Sequence, residues 1–417
     1  MIPGIMSHKY LSSLLMGLLT LVLIVLPACT TMGPPPEIIS TLPAASSTAA
    51  GSDSALAVEP GLEAQIVETP LPAAPQPQAT EGEAAPVEAV SVNPGVNPLT
   101  GLAPERPDIM DRRPVIVKVQ NLPRPRFQYG ISFADLVFEY YTEAGSTRFA
   151  ALYYGNYPEI VAPIRSARFM DMHLVRMYGA NFIFGSAYDD LFTALVESDI
   201  EERLFIELPG SCPAICRYDP DGKNYLSASL DDLPAYMEKL EIDQGEFPNL
   251  QGMAFDGQSP ANGQPAPQLF ARFSGAIYNR WDYDAESGRY LRYADADDDL
   301  SFKNEVYEPL TDQLTGEQIA ADNVVIVLAE YKTVGDPEVG EVWDVDLTDS
   351  GMAYVARNGQ IYNVRWERAG VNSVLTFFQD DGTPFPLKPG KTWFEVMGIH
   401  THIEMDGEAW RFTHWMP

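Results

Sequence analysis

Apolar and polar positions pass through three regimes along this chain. An apolar run over 11–26 follows His8 and Lys9, with no acidic residue before Cys29. From 30 to about 95 the pattern dissolves into Pro, Ala, Ser, Thr, Glu and Val, without a single aromatic, Lys or Arg. Beyond residue 97 short β-branched and aromatic runs alternate with amphipathic ones. Runs over 115–119, 136–141, 149–154 and 181–184 predict strands, and 170–178 and 191–200 predict helices. A further helix is expected from Ser229. Ser229 and Asp232 are spaced as a capping box, Leu233, Tyr236, Met237 and Leu240 share one face, and Pro234 is tolerable in the first turns.

A stretch rich in Gly, Pro, Asn and Gln over 247–268 interrupts this alternation. After it, strands dominate. Runs over 276–283 and 289–293 flank Ala285-Glu286-Ser287-Gly288, and 324–331 reads as a buried central strand. Asn358-Gly359 joins 353–357 to 360–366 as a type I′ hairpin, and Asp381-Gly382 and Asp406-Gly407 repeat the device. The expected fold class is α+β, a mixed α/β N-terminal domain followed by a mainly antiparallel β domain. The expected divisions are a signal over 1–29, a tether over 30–95, domains over 96–250 and 269–417, and a linker or crossing loop over 251–268.

The first 29 residues have the parts of an export signal: a cationic start, a short apolar stretch and a small residue before the cut. Leu26-Pro27-Ala28-Cys29 resembles the lipobox of bacterial lipoproteins, with Pro27 departing from its usual small or β-branched residue. The apolar run is short for a spanning helix, which needs about 20 residues. The expectation is therefore an extracytoplasmic protein anchored to the membrane by lipid on Cys29. The acidic, proline-rich segment behind it cannot bury enough apolar surface to offset its ordering entropy, and reads as a tether.

The formal net charge of -31 excludes duplex DNA, RNA and anionic headgroups as natural partners. A wall component or another envelope protein remains an expected partner, and no cofactor is indicated. Only Cys212 and Cys216 accompany Cys29. In an oxidising compartment this close pair is expected to form a local disulfide. The three-residue spacing departs from a redox motif, and a zinc site needs more ligands than lie nearby.

Several stretches together resemble the YerB-like lipoprotein family, built on a two-part domain of unknown function. They are Asn97-Pro98-Leu99-Thr100-Gly101-Leu102, Arg113-Pro114-Val115, Ser132-Phe133-Ala134-Asp135-Leu136-Val137-Phe138-Glu139, Glu143-Ala144-Gly145-Ser146-Thr147-Arg148-Phe149 and Pro163-Ile164-Arg165-Ser166-Ala167-Arg168. Near the end, Asp322-Asn323-Val324-Val325-Ile326-Val327 and Leu387-Lys388-Pro389-Gly390-Lys391-Thr392-Trp393 extend the likeness. The resemblance implies a two-domain extracytoplasmic lipoprotein and no particular reaction. Ile183-Phe184-Gly185-Ser186 lacks a histidine and a glycine associated with that region, and the tail beyond Met397 is an addition.

Candidate chemistry centres on arginines. Arg165 and Arg168 follow Pro163 at a predicted helix start, and Arg148 lies in the same basic stretch. Helix N–H groups and guanidinium forks favour carboxylate or phosphate, so these three residues are candidates for holding an anion. The bland alternative pairs them with Asp135, Glu139 or Glu143. Ser166 has no surrounding nucleophile elbow, and His173 is the one histidine in the N-terminal half of the processed chain. Glu139 and Glu143 suggest the carboxylate pair of an enzyme acting on wall glycan. Asp295, Asp297, Asp298 and Asp299 lack the glycine and glutamate of a calcium loop and read as a solvated acidic loop. His400, His402 and Glu404 share a strand face, but a two-residue turn at Asp406-Gly407 sets Arg411 opposite His402, which disfavours a metal. The same pairing sends His414 to the apolar face. The leading expectation is a lipid-anchored binding or scaffold protein of the bacterial envelope, and the rival is the glycan enzyme.

Overall fold

The structure, a computed structural model, describes residues 95–122, 126–217, 226–335 and 341–415. The expectations for the signal, for Cys29 and for the tether up to residue 94 fall outside the described residues. Residues 95–415 belong to one compact unit. The fold is predominantly β.

The first half supplies β1 (Val115–Asn121), β2 (Leu136–Tyr141), β3 (Thr147–Tyr153), α1 (Phe169–Tyr178), β4 (Asn181–Ile183), α2 (Asp189–Val196) and β5 (Leu204–Phe205). The short pair β6 (Ile215–Arg217) and β7 (Leu226–Ala228) precedes α3 (Leu233–Lys239). The second half begins with β8 (Gln264–Pro265), β9 (Gln268–Arg272), β10 (Tyr278–Asp284), β11 (Arg289–Asp295), β12 (Tyr307–Pro309) and β13 (Ala320–Ala321). It continues with β14 (Asn323–Thr333), β15 (Trp343–Asp346), β16 (Asp349–Arg357), β17 (Gln360–Arg368), β18 (Thr376–Phe378), β19 (Thr392–Gly398), β20 (His402–Asp406) and β21 (Ala409–Thr413).

The larger sheet runs β18-β17-β16-β14-β19-β2-β3-β1-β4-β5. It crosses the expected division at 251–268, because β19 from the second half lies between β14 and β2 and pairs with each in parallel. Phe138 and Phe394 face each other directly in that register, with ring centroids 4.3 Å apart. Strands β1, β2 and β19 are buried along their whole length. That explains their near-continuous apolar character, as expected of strands covered on both faces. The smaller sheet, β12-β11-β10-β9-β21-β20, is antiparallel except where β21 meets β9.

Helix α3 begins four residues later than the sequence reading placed it. The Ser229 hydroxyl bonds the Asp232 carboxylate at 2.6 Å instead of a backbone N–H, and Asp232 takes the N-cap position. Pro234 then stands in the first turn, where its missing N–H costs nothing. Leu233, Tyr236 and Met237 are buried, whereas Leu240 is exposed just past the last turn.

Between the two sheets lies a charged bolt. Arg292 on β11 donates to Glu139 on β2 at 2.5 Å and to Glu395 on β19 at 2.9 Å. The guanidinium lies over the rings of Phe149, Trp281 and Trp393. Buried charges are costly unless paired and supported by further hydrogen bonds. Here Asn121 and Thr147 complete Glu139, and Trp281 and Asn279 complete Glu395.

Candidate functional site

The stretch carrying the predicted arginines crosses the end of β1. Arg165 N–H donates to the Lys118 carbonyl, and Gly185 N–H donates to the Arg165 carbonyl, each at 2.8 Å. Segment 163–168 is thereby laid between β1 and the loop leaving β4. Helix α1 then starts with Arg168 at its N-cap, an unusual cap residue. Asp171 three residues on accepts the Arg168 backbone N–H at 2.7 Å and secures the entry.

Arg148 on β3 and Arg168 converge on one carboxylate. Arg168 Nε donates to Glu143 Oε2 at 2.7 Å and its Nη2 reaches Oε1, which also accepts from Arg148 Nη2 at 3.0 Å. Burial pushes the Glu143 carboxyl up. The Arg168 hydrogen bond and the charges of both arginines outweigh that, so it titrates below the ordinary range. Burial, then the Arg168 charge, pulls Arg148 down to about 10. Arg165 donates to Gln120 on β1. The three arginines therefore share one region, with Arg148 and Arg168 on Glu143 and Arg165 on Gln120. Asp135 and Glu139 lie elsewhere: Asp135 accepts from Asn97, Tyr154 and Gly155.

An open cleft of about 310 Å³ lies over this cluster, lined by Thr142, Glu143, Ser166, Arg168, Ser186 and Tyr188 among others. The Ser166 and Ser186 hydroxyls share a hydrogen bond of 2.9 Å. Ser186 therefore lies in the cleft wall. Beneath the cleft, Lys118 Nζ reaches Asp171 Oδ1 at 3.0 Å and contacts the Tyr140 hydroxyl, which donates to Asp171 at 2.5 Å. Burial brings the Lys118 amine down to about 7, against the opposing pull of Asp171. Lys118, Arg292 and Glu395 were not singled out as functional candidates from sequence. Their signal was a charged residue inside an apolar strand, as in Val117-Lys118-Val119 or Phe394-Glu395-Val396.

The remaining sequence candidates separate in space. Glu139 is fully buried and bound to Arg292, whereas the Glu143 side chain is 30% exposed, so the two do not flank a substrate path. His173 lies beside Asp344, with Nε2 3.2 Å from the carboxylate. The acidic loop is only partly solvated, a correction to the sequence reading. Asp295 and Asp299 are buried against Arg126 and Arg272, while Asp297 and Asp298 are exposed. The last hairpin turns at Gly407-Glu408, one residue later than expected, because Gly407 takes the positive φ of 63° that opens the turn. Arg411 then opposes Glu404 instead of His402. The slip moves each pairing partner by two, so the faces are unchanged and His414 still points inward. His402 and Glu404 bond each other at 2.7 Å on the surface, and the described residues hold no cluster suited to a metal ion. Cys212 and Cys216 are joined as a disulfide. No helix among the described residues is long and apolar enough to cross a membrane.

Residues 99–208 match the N-terminal domain, and residues 269–394 the C-terminal domain, of a protein family of unknown function, DUF3048. The chain is 28% identical over 304 residues to YerB of Bacillus subtilis, whose name describes it as a candidate lipoprotein. That match covers 72% of this chain and 85% of YerB. The crystal structure of Bacillus subtilis YerB is similar to this fold, with a TM-score of 0.60 at 25% identity, over 72% of this chain and 96% of that one.

Proposed function

This chain belongs to the DUF3048 family, and we propose that it works as a lipid-anchored, extracytoplasmic binding protein of the bacterial envelope whose cleft takes an anionic group. The lipoprotein description of its relative and the position of Cys29 behind an apolar run support the anchor. One observation carries the binding reading. Arg168, in the wall of an open cleft, and Arg148 converge on a single carboxylate, Glu143, which also lines the cleft, with hydroxyls of Ser166 and Ser186 alongside. Glu143 occupies the Arg168 fork in the way an incoming carboxylate or phosphate would. Ligand binding is then an exchange: the anion displaces Glu143 and draws on Arg165, Arg168 and Arg148 together.

The rival reading, hydrolysis of wall glycan through Glu139 and Glu143, is disfavoured by the sealing of Glu139 beneath Arg292. A substrate reaching it would have to part the two sheets.

Thermal melts with inorganic phosphate and glycerol phosphate test the exchange. Glu143→Gln frees the fork and should tighten binding of either anion about tenfold, the worth of one charge-assisted contact. The double variant Arg165→Ala, Arg168→Ala should lose the response. If neither anion shifts the melt of the parent or of Glu143→Gln at about 10 mM, well above the Kd of such weak complexes, the cleft is structural.

A further inference from the structure

A second cavity lies at the opposite end of β4. Asn181 opens that strand and lines this cavity, while Ser186 follows the strand and lines the arginine cleft. Its volume is about 320 Å³, at the lower end of the range for small-ligand sites. Val115 at the start of β1, Leu230, and Leu233 and Met237 of α3 supply apolar walls, all with under a tenth of their surface exposed.

Arg112, Arg113 and Asn181 interrupt these walls. Arg113, itself buried, donates Nε to the Gln244 carbonyl at 2.6 Å and Nη1 to the Gly179 carbonyl at 2.9 Å, and also binds the Glu246 carbonyl. These contacts tie down the 244–246 segment, but carbonyl oxygens leave the cation's charge in place. Arg112 lines the same cavity, and its Nη1 is buried without a partner among the described residues. Asn181 donates Nδ2 to Gln244 Oε1 at 3.1 Å, yet its Oδ1 is buried without a partner among the described residues. A cavity wall thus holds one donor of positive charge and one acceptor, both unsatisfied, where folded proteins satisfy nearly all such atoms. Asp111 and Glu238 stand exposed among the lining residues and repel a multiply charged anion.

We propose that this cavity binds a small amphipathic monoacid. Its carboxylate pairs with Arg112 in the field of Arg113. An amide N–H or hydroxyl donates to Asn181 Oδ1, and a branched aliphatic or aromatic body packs on Leu233 and Met237. N-acylated apolar amino acids have this combination of groups. The site goes beyond the arginine cleft and does not depend on it.

The test uses the whole chain with ¹³C-methyl methionine, titrated with N-acetyl-leucine, N-acetyl-phenylalanine and their neutral carboxamides. Binding should shift the Met237 methyl signal and leave that of exposed Met352 in place. The acids should bind at least about tenfold more tightly than the carboxamides, the discrimination expected of one charged hydrogen bond. Arg112→Leu should abolish that preference, and Leu233→Trp should block the cavity to both. The Arg165→Ala, Arg168→Ala variant should bind as the parent does. A Met237 signal unmoved by either acid, or acids and carboxamides binding alike, would overturn the proposal. So would binding that disappears in the cleft variant, which would place the acid at the other site.

Discussion

Arg292 on the smaller sheet donates to Glu395 on the larger one at 2.9 Å, and both residues are almost wholly buried. The same guanidinium holds Glu139, so one cation is shared by two carboxylates from strands contributed by different halves of the chain. Burial, and then the charge of Glu139, push the Glu395 carboxyl well above the ordinary range. Without Arg292 this pair would be two like charges in a dry interior.

Arg292→Met should therefore cost far more than a lost surface pair. Removing one partner of a buried ion pair typically costs about 3–5 kcal/mol. Adding Glu139→Gln and Glu395→Gln should recover part of the loss, because the stranded charges are then gone. Urea denaturation at neutral pH measures both. A single variant within about 1 kcal/mol of the parent, the level of an exposed pair, would show that water or protonation compensates the site.

The anchor rests on Cys29. Cys29→Ser should move the protein to the soluble exported fraction or leave its precursor uncleaved, and fatty-acid labelling should disappear. A variant that is still cleaved and labelled as the parent is would refute lipid attachment at this residue.

Cys212 and Cys216 close a loop with a sequence separation of only 4. Constraining so short a loop removes little unfolded-state entropy, so the stabilisation should fall below about 3 kcal/mol. Mass analysis after alkylation without reduction checks the bond, and two alkylated thiols in exported protein would exclude it.

Local signals in the sequence carried much of this fold. The apolar runs that became β1, β2 and β14 were legible because strands covered on both faces need apolar residues at nearly every position. Asn358 and Gly359 were legible because both take positive φ, at 51° and 72°, and join Arg357 to Gln360 as an ideal two-residue turn does. The parallel pairing of β19 with β2 was not legible, since Thr392 and Leu136 meet across most of the folded chain and parallel neighbours leave no turn between them. The basic stretch was visible, but the choice of Glu143 as the shared partner depended on a tertiary register. The cavity beside Arg112 was invisible for the same reason: its walls come from segments near 112, 157, 181 and 230–247.

His414 gives the fold a pH dependence with a definite sign. The Gly398 N–H donates to His414 Nδ1 at 2.9 Å, which requires a neutral ring with its proton on Nε2. The ring packs against Tyr331, Tyr141 and Phe273 at centroid distances of 4.9, 5.5 and 5.6 Å. Burial lowers its pKa to about 4, against about 6.5 in an unfolded chain. Between those values the unfolded state binds a proton that the native state refuses. The contribution is thus complete above pH 6.5 and is lost as the pH falls through 4. The shift corresponds to roughly 3 kcal/mol. Asp135, raised to about 6 by burial, gains stability over part of the same acidic range and masks the effect in the parent alone. The comparison that isolates it is parent against His414→Asn, which keeps an acceptor for Gly398 and does not titrate. The parent's stability relative to this variant should fall by about 3 kcal/mol between pH 7 and pH 4, read from urea midpoints at each pH. A difference that stays constant across that range would mean that His414 titrates as an exposed histidine does, and that the Gly398 contact does not hold the ring neutral.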